Sequence, residues 1–208
     1  MNKYLVEFIG TFFLVLTIGL AVLEPGAGAM APLAIGSALM VMVYAGGHIS
    51  GAHYNPAVTL AVWLRGRCPA RDMAPYMGAQ IIGGLLASVM VLFVKGPSAV
   101  PPARPDPVPA LLVEFLYTFA LCYVVLNVAT SRNTVGNSFY GLAIGFTVTA
   151  GAYSAGAISG GAFNPAVAVG ITVMGLSHLG SMWIFLLGTF LGGALAAVTF
   201  TFLNPEDT

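Results

Sequence analysis

Charge is what this sequence has least of. Seven Lys or Arg and seven Asp or Glu make up 7% of its 208 residues, against 58% hydrophobic, and the mean hydropathy is +0.92. A soluble domain carries about a quarter charged residues, so water is the wrong solvent for most of this chain. The net charge is zero and the seven basic residues form no stripe that could track a nucleic-acid backbone, which excludes that class. Cysteine is scarce as well. Cys68 falls in a connection and Cys122 inside an apolar run, so no disulfide is expected. His48 and His53 have no Cys or carboxylate close by in sequence, so neither a metal nor another cofactor is expected. Residues 152–156 (Ala-Tyr-Ser-Ala-Gly) approach a nucleophile elbow around Ser154 but lack its first Gly and a preceding strand. His178 is the only His after it, and nothing supplies an orienting carboxylate. An intramembrane serine hydrolase is therefore the weak alternative, and no enzyme activity is expected.

What is present is long apolar runs. No Asp, Glu, Lys or Arg occurs from 73 to 94, from 115 to 131 or from 133 to 205. A membrane-crossing helix needs about 20 apolar residues. Spans are predicted at 4–23, 31–49, 73–94, 110–130, 138–157 and 181–203, which makes the fold class all-α membrane protein. Lys3, the apolar run and Ala27-Gly28-Ala29 resemble a cleavable leader, but Glu7 inside the run and five further spans argue for a first span. With six spans both termini share a side, which collects Lys3, Arg65, Arg67, Arg71 and Arg132 against Lys95 and Arg104 opposite. Cytoplasmic termini are expected.

The chain is also written twice. Ile49-Ser50-Gly51-Ala52-His53-Tyr54-Asn55-Pro56-Ala57-Val58 recurs as Ile158-Ser159-Gly160-Gly161-Ala162-Phe163-Asn164-Pro165-Ala166-Val167, an offset of 164 − 55 = 109. Gly36 and Gly145 share that offset, as do Gly83-Gly84 and Gly192-Gly193, the expected helix contact points. Residues 7–12 answer 114–119 at an offset of 107. The expected organisation is a first repeat at 1–96, an external Pro-rich linker at 97–109 and a second repeat at 110–208. Three spans per repeat invert the second copy and bring the discontinuous segments together at the membrane midplane.

Each Asn-Pro-Ala (Asn55-Pro56-Ala57 and Asn164-Pro165-Ala166) precedes an apolar stretch too short to cross, 58–64 and 167–174. Asn is a good helix N-cap and Pro is favoured at the first helical position, so each triplet predicts the start of a half-helix after unwound backbone. Unwound backbone at membrane depth must be buried or line a water-filled cavity. The carbonyls of Gly51, Ala52, His53, Tyr54, Ala162 and Phe163 are candidate pore-lining acceptors, and the Asn55 and Asn164 amides candidate donors. Two helix N-termini facing each other repel cations, which suits a neutral permeant. An ion-coupled transporter shares broken helices and inverted repeats, but it would need coupling carboxylates at the midplane. Glu7 and Glu114 are read as buried carboxylates accepting N–H groups of the unwound loops.

On these loops, SGAHYNPAVT and SGGAFNPAV, and on the paired Glu7 and Glu114, the chain resembles the aquaporin (major intrinsic protein) family over nearly its whole length. The resemblance implies six spans plus two re-entrant half-helices, a pore in each subunit of a homotetramer, and passive conduction of water or small uncharged solutes through a lipid bilayer. It places the narrowest filter at Ile35, Ala152, Gly161 and Val167, with Val167 standing where water-selective members carry an arginine. Losing that fixed cation and its fork of donors predicts a wider, less polar filter, open to glycerol, urea, hydrogen peroxide or neutral metalloid acids as well as water. Some plant vacuolar and bacterial arsenic-related members are similar in having Val there. Ala168 points the other way, since glycerol-conducting members usually carry Asp at that place. His48 is a candidate gate at the cytoplasmic mouth, and a bacterial inner membrane is the expected location by analogy.

Overall fold

The structure, a computed structural model, describes residues 1–207. Among them the α-helices are α1 (Asn2–Val22), α2 (Ala31–Ser50), α3 (Pro56–Leu64), α4 (Ala70–Lys95), α5 (Pro107–Val125), α6 (Tyr140–Ser159), α7 (Pro165–Val173) and α8 (Met182–Leu203). Six are long and apolar enough to cross a membrane. The other two, α3 and α7, have nine residues each, hence a length of about 13 Å, less than half a hydrocarbon core. Placed end to end they amount to one further crossing.

The surface is built for lipid. Leu5, Ile9 and Phe13 of α1 and Leu187, Leu191, Leu195 and Val198 of α8 are exposed at helical spacing. Polar side chains that include Glu7, Thr11, Thr59, Gln80, Glu114 and Thr118 are fully buried.

The packing repeats in the two halves. α1 packs on α4 as α5 packs on α8, and α1 touches α2 as α5 touches α6. Between the halves α4 meets α7, α8 meets α3, and α2 crosses α6. Glycine pairs permit these approaches. A Cβ at Gly83 would lie 2.6 Å from the Phe8 carbonyl, and one at Gly192 would lie 2.5 Å from that of Phe115. Their neighbours Gly84 and Gly193 face the Ala166 and Ala57 carbonyls, where a Cβ would sit at 3.0 and 2.8 Å. Each pair thus seats a long helix on its own half and on the half-helix of the other.

One boundary differs from expectation, the start of the fifth span. Helix α5 begins at Pro107, so Pro107 and Pro109 belong to its first turn and not to the linker. Asp106 caps it, its carboxylate accepting from the Val108 N–H at 3.3 Å, and prolines cost nothing where N–H groups have no helical partner. At its other end α5 gives way to one π turn, Leu126–Thr130.

Charged residues gather at the two faces. On the face carrying both termini, Lys3 and Tyr4 hold Asp72 at 2.6 and 2.7 Å. There too, Asp207 accepts from Arg65 Nη2 at 2.7 Å and from the Arg132 N–H at 3.0 Å. Arg65 also stacks 4.6 Å over the Phe200 ring. On the far face the Lys95 ammonium donates to the Leu20, Leu23 and Pro25 carbonyls, capping the end of α1.

Candidate functional site: two re-entrant loops around a central cavity

Each half-helix starts where the sequence predicts. Asn55 (φ −156°, ψ 121°) and Asn164 (φ −161°, ψ 118°) are extended N-caps whose side-chain oxygens accept from the Ala57 and Ala166 N–H groups at 2.8 Å. Such a cap contributes about 1 kcal/mol, and here it also fixes the amide orientation, turning each Nδ2 toward the opposite loop.

The backbone before each cap is strained in the same way twice. Gly51 and Gly160 are left-handed, as are Ala52 and Gly161, and Tyr54 and Phe163 both lie at φ 49°. For bulky residues this costs of order 1–3 kcal/mol and persists only where the surroundings enforce it. The two buried glutamates do the enforcing. Glu7 accepts from the His53 N–H at 3.0 Å, the Tyr54 N–H at 2.7 Å and the Ser50 hydroxyl at 2.7 Å. Glu114 accepts from the Ala162 N–H at 3.0 Å, the Phe163 N–H at 2.7 Å and the Ser159 hydroxyl at 2.6 Å. Ser50 and Ser159 in turn accept from the Ala52 and Gly161 N–H groups, both at 3.0 Å. Both carboxylates are fully buried, and neither lines the central cavity or the far vestibule described below.

The loops then lock to one another. Asn55 Nδ2 donates to the Phe163 carbonyl and Asn164 Nδ2 to the Tyr54 carbonyl, both at 2.9 Å. The amides are therefore less free than expected. One N–H of each is committed to the other loop, leaving one for a passing oxygen.

Three cavities lie in series. A narrow central one, of about 30 Å³, is lined by Ala52, His53, Tyr54, Asn55, Ala162 and Asn164 with aliphatic side chains opposite. Of each Asn-Pro-Ala only the Asn reaches it, and Pro56, Ala57, Pro165 and Ala166 are buried at the half-helix starts. Phe163 does not line it either, whereas Tyr54, whose carbonyl is held by the opposite asparagine in the same way, does. On the far face a vestibule of about 480 Å³ shares Ile18, Ile35, Gly161 and Val167 with the central cavity, whereas Ala152 reaches the vestibule alone. Ser177, whose buried Oγ has no partner, also lines the vestibule. Toward the terminal face the central cavity shares His53 and Val125 with a pocket that includes Gly51, Arg67 and Arg132. His48 lines a neighbouring pocket there beside Gly47 and Tyr140. Ser154, on α6, is exposed and donates to the Ala150 carbonyl at 2.7 Å, with no strand or turn before it.

The halves differ in one network. Gln80 donates to Glu7 at 2.8 Å and to Thr59 at 2.9 Å, and Thr59 lies 3.1 Å from His53 Nδ1. At the offset of 109 the counterparts of Thr59 and Gln80 are Ala168 and Thr189, and Thr189 donates only within its own helix. With the Thr59 proton on the Asn55 carbonyl at 3.1 Å, Thr59 accepts from His53 Nδ1–H, and Nε2 keeps a lone pair. Sequence reasoning missed Gln80, which has no repeated partner to flag it. Ser50 and Ser159 were missed as well, although both stand in the repeated motif.

Six spans, two half-helices meeting cap to cap and cavities in series through one chain define a membrane channel. The chain belongs to the major intrinsic protein family, whose model, described as "Major intrinsic protein", matches residues 1–200. It is 40% identical to the glycerol uptake facilitator protein-like 6 of Lactiplantibacillus plantarum, with all of both chains covered. Identity to aquaporin NIP1-4 of Oryza sativa subsp. japonica is 38%, over 98% of this chain and 77% of that protein. Identity to aquaporin Z of Rhodopseudomonas palustris is 32%, over 100% and 95%. In fold it is similar to the X-ray structure of the aquaglyceroporin from Plasmodium falciparum, with a TM-score of 0.79 and 19% identity over 95% of this chain and 94% of that one.

Proposed function

We propose that this chain is a passive pore for water and for small uncharged solutes such as glycerol, urea, hydrogen peroxide or neutral metalloid acids, and that it excludes protons and ions. One observation carries the reading. Where the central cavity meets the far vestibule, Ile35, Gly161 and Val167 offer no charge and no side-chain donor. A filter without a fixed cation exerts less grip on a water oxygen and leaves room for a larger neutral molecule. The facing N-termini of α3 and α7 supply the barrier to cations that is general for aquaporin-type pores. The name of the Lactiplantibacillus relative favours a solute of the glycerol class. In the same reading the terminal face is cytoplasmic, as its excess of Lys and Arg suggests, His48 gates the mouth there, and the assembly is a homotetramer in a bacterial inner membrane. The second reading is a water-only pore, favoured by the likeness to aquaporin Z and by Ala168.

Reconstitution into liposomes separates the two. Osmotic shrinkage is compared with uptake of glycerol, urea and arsenous acid, for the unmodified chain and for Val167→Arg. Solute uptake that Val167→Arg abolishes while water flux remains is the expected result. An unmodified channel that passes water and excludes all three solutes refutes the wide filter.

A further inference from the structure

Helix α1 contributes to the pore wall along one line. Leu14, Ile18 and Val22 stand four residues apart, one above the other on a single helix face. Leu14 lines the central cavity only, Val22 the far vestibule only, and Ile18 both. Ile18 therefore stands at the level of Ile35 and Val167, where the two cavities meet. Gly161 completes the junction without a side chain. Its φ is +64°, and a Cβ there would lie 3.3 Å from the Gly156 Cα, so the backbone itself keeps that side open. Ala152 lies on the vestibule side and does not reach the central cavity.

We propose that Ile18 is a specificity-determining residue of this pore, forming with Ile35 and Val167 a three-sided aliphatic collar that sets the size and dryness of its narrowest level. The inference deepens the reading of a solute-conducting pore and rests on it. Ile18 and Val167 are 7% and 3% exposed, so packing holds both in place, and β-branching leaves each few rotamers. An aperture walled by stiff branched side chains does not widen for a larger guest. None of the three offers a hydrogen bond, so a solute crossing the collar sheds water there without compensation from side chains. Discrimination then follows girth and the number of polar groups, both of which Ile18 adjusts.

The test measures the ratio of glycerol to water permeability in proteoliposomes for Ile18→Ala, Ile18→Val and Ile18→Phe, with Leu14→Ala and Val22→Ala as neighbours on the same stripe. Ile18→Ala is expected to raise the ratio about tenfold, the scale on which a pocket reads a few methyl groups. Ile18→Val raises it less and keeps the packing should Ala impair insertion, and Ile18→Phe lowers it while water still passes. Leu14→Ala and Val22→Ala move the ratio less than Ile18→Ala. The proposal is overturned if the Ile18 variants leave the ratio unchanged while Val167→Arg shifts it, or if Leu14→Ala and Val22→Ala raise it as much. An unmodified channel that excludes glycerol sinks the wide filter but not this role, because Ile18→Ala would then open a glycerol leak or fail to.

Discussion

At the scale of single residues, two carboxylates hold the site's strain. Each glutamate gathers two backbone N–H groups and a serine hydroxyl, and so keeps Tyr54 and Phe163 left-handed. Removing Glu114 leaves two buried N–H groups unpaired, at about 1–3 kcal/mol each. Glu114→Ala is thus expected to cut the yield of folded, detergent-soluble protein severely, and Glu114→Gln to cut it less because one oxygen remains. The measurement is the monodisperse fraction on size exclusion, with permeability per folded molecule as the second readout. A well-folded but closed Glu114→Ala channel contradicts this role. Both carboxylates were legible in the sequence, since an acid inside an apolar span demands an explanation. Gln80 was not, because an amide within α4 carries no such alarm and only the fold brings it to Glu7 and Thr59.

At the scale of elements, helix spacing is set by glycines that look alike in sequence and differ in space. A Cβ at Gly192 meets the Phe115 carbonyl at 2.5 Å, whereas one at Gly156 meets nothing within 4 Å. Gly192→Ala is expected to lower the unfolding temperature in detergent and to weaken the α5–α8 pair. Gly156→Ala is expected to leave it unchanged or to raise it slightly, since Ala suits a helix by about 1 kcal/mol over Gly. Equal shifts for the two variants count against close packing at Gly192. The repeat offset marked Gly192 as a contact because Gly83 answers it. The many aliphatic residues of the first span hid Ile18, since Leu14, Ile18 and Val22 differ only in which cavity each comes to line. Charge-free runs made the spans legible to within a few residues. The start of α5 was misplaced because two prolines resemble a linker as readily as a first helical turn.

At the scale of the whole molecule, the C-terminal segment is tied to the connections around the terminal-face pocket. Asp207 is bound by Arg65 of the α3–α4 connection, lies 3.5 Å from Arg67, and accepts from the Arg132 N–H just beyond the π turn. Burial alone would raise its pKa. Hydrogen bonds from Ser131 and the Arg132 N–H, together with the Arg65 charge, outweigh that and hold the carboxyl below its ordinary value. A lowered folded-state pKa gives stability that is fully present above the unfolded value of about 3.9 and is lost as pH falls through the folded one. The stability difference between the unmodified chain and Asp207→Asn is therefore expected to be constant from about pH 7 to 5 and to shrink below about pH 4. Thermal unfolding across that range checks it, and a gap that widens toward acid contradicts the assignment.

The crossed bonds between Asn55 and the Phe163 carbonyl, and between Asn164 and the Tyr54 carbonyl, have a consequence in time. A ribosome delivers residue 55 long before residue 163. Through that interval the first loop has its glutamate in the chain but lacks the acceptor its asparagine is aimed at. The crossed grip, and the pore it completes, has all its parts only once the second half-helix has been made.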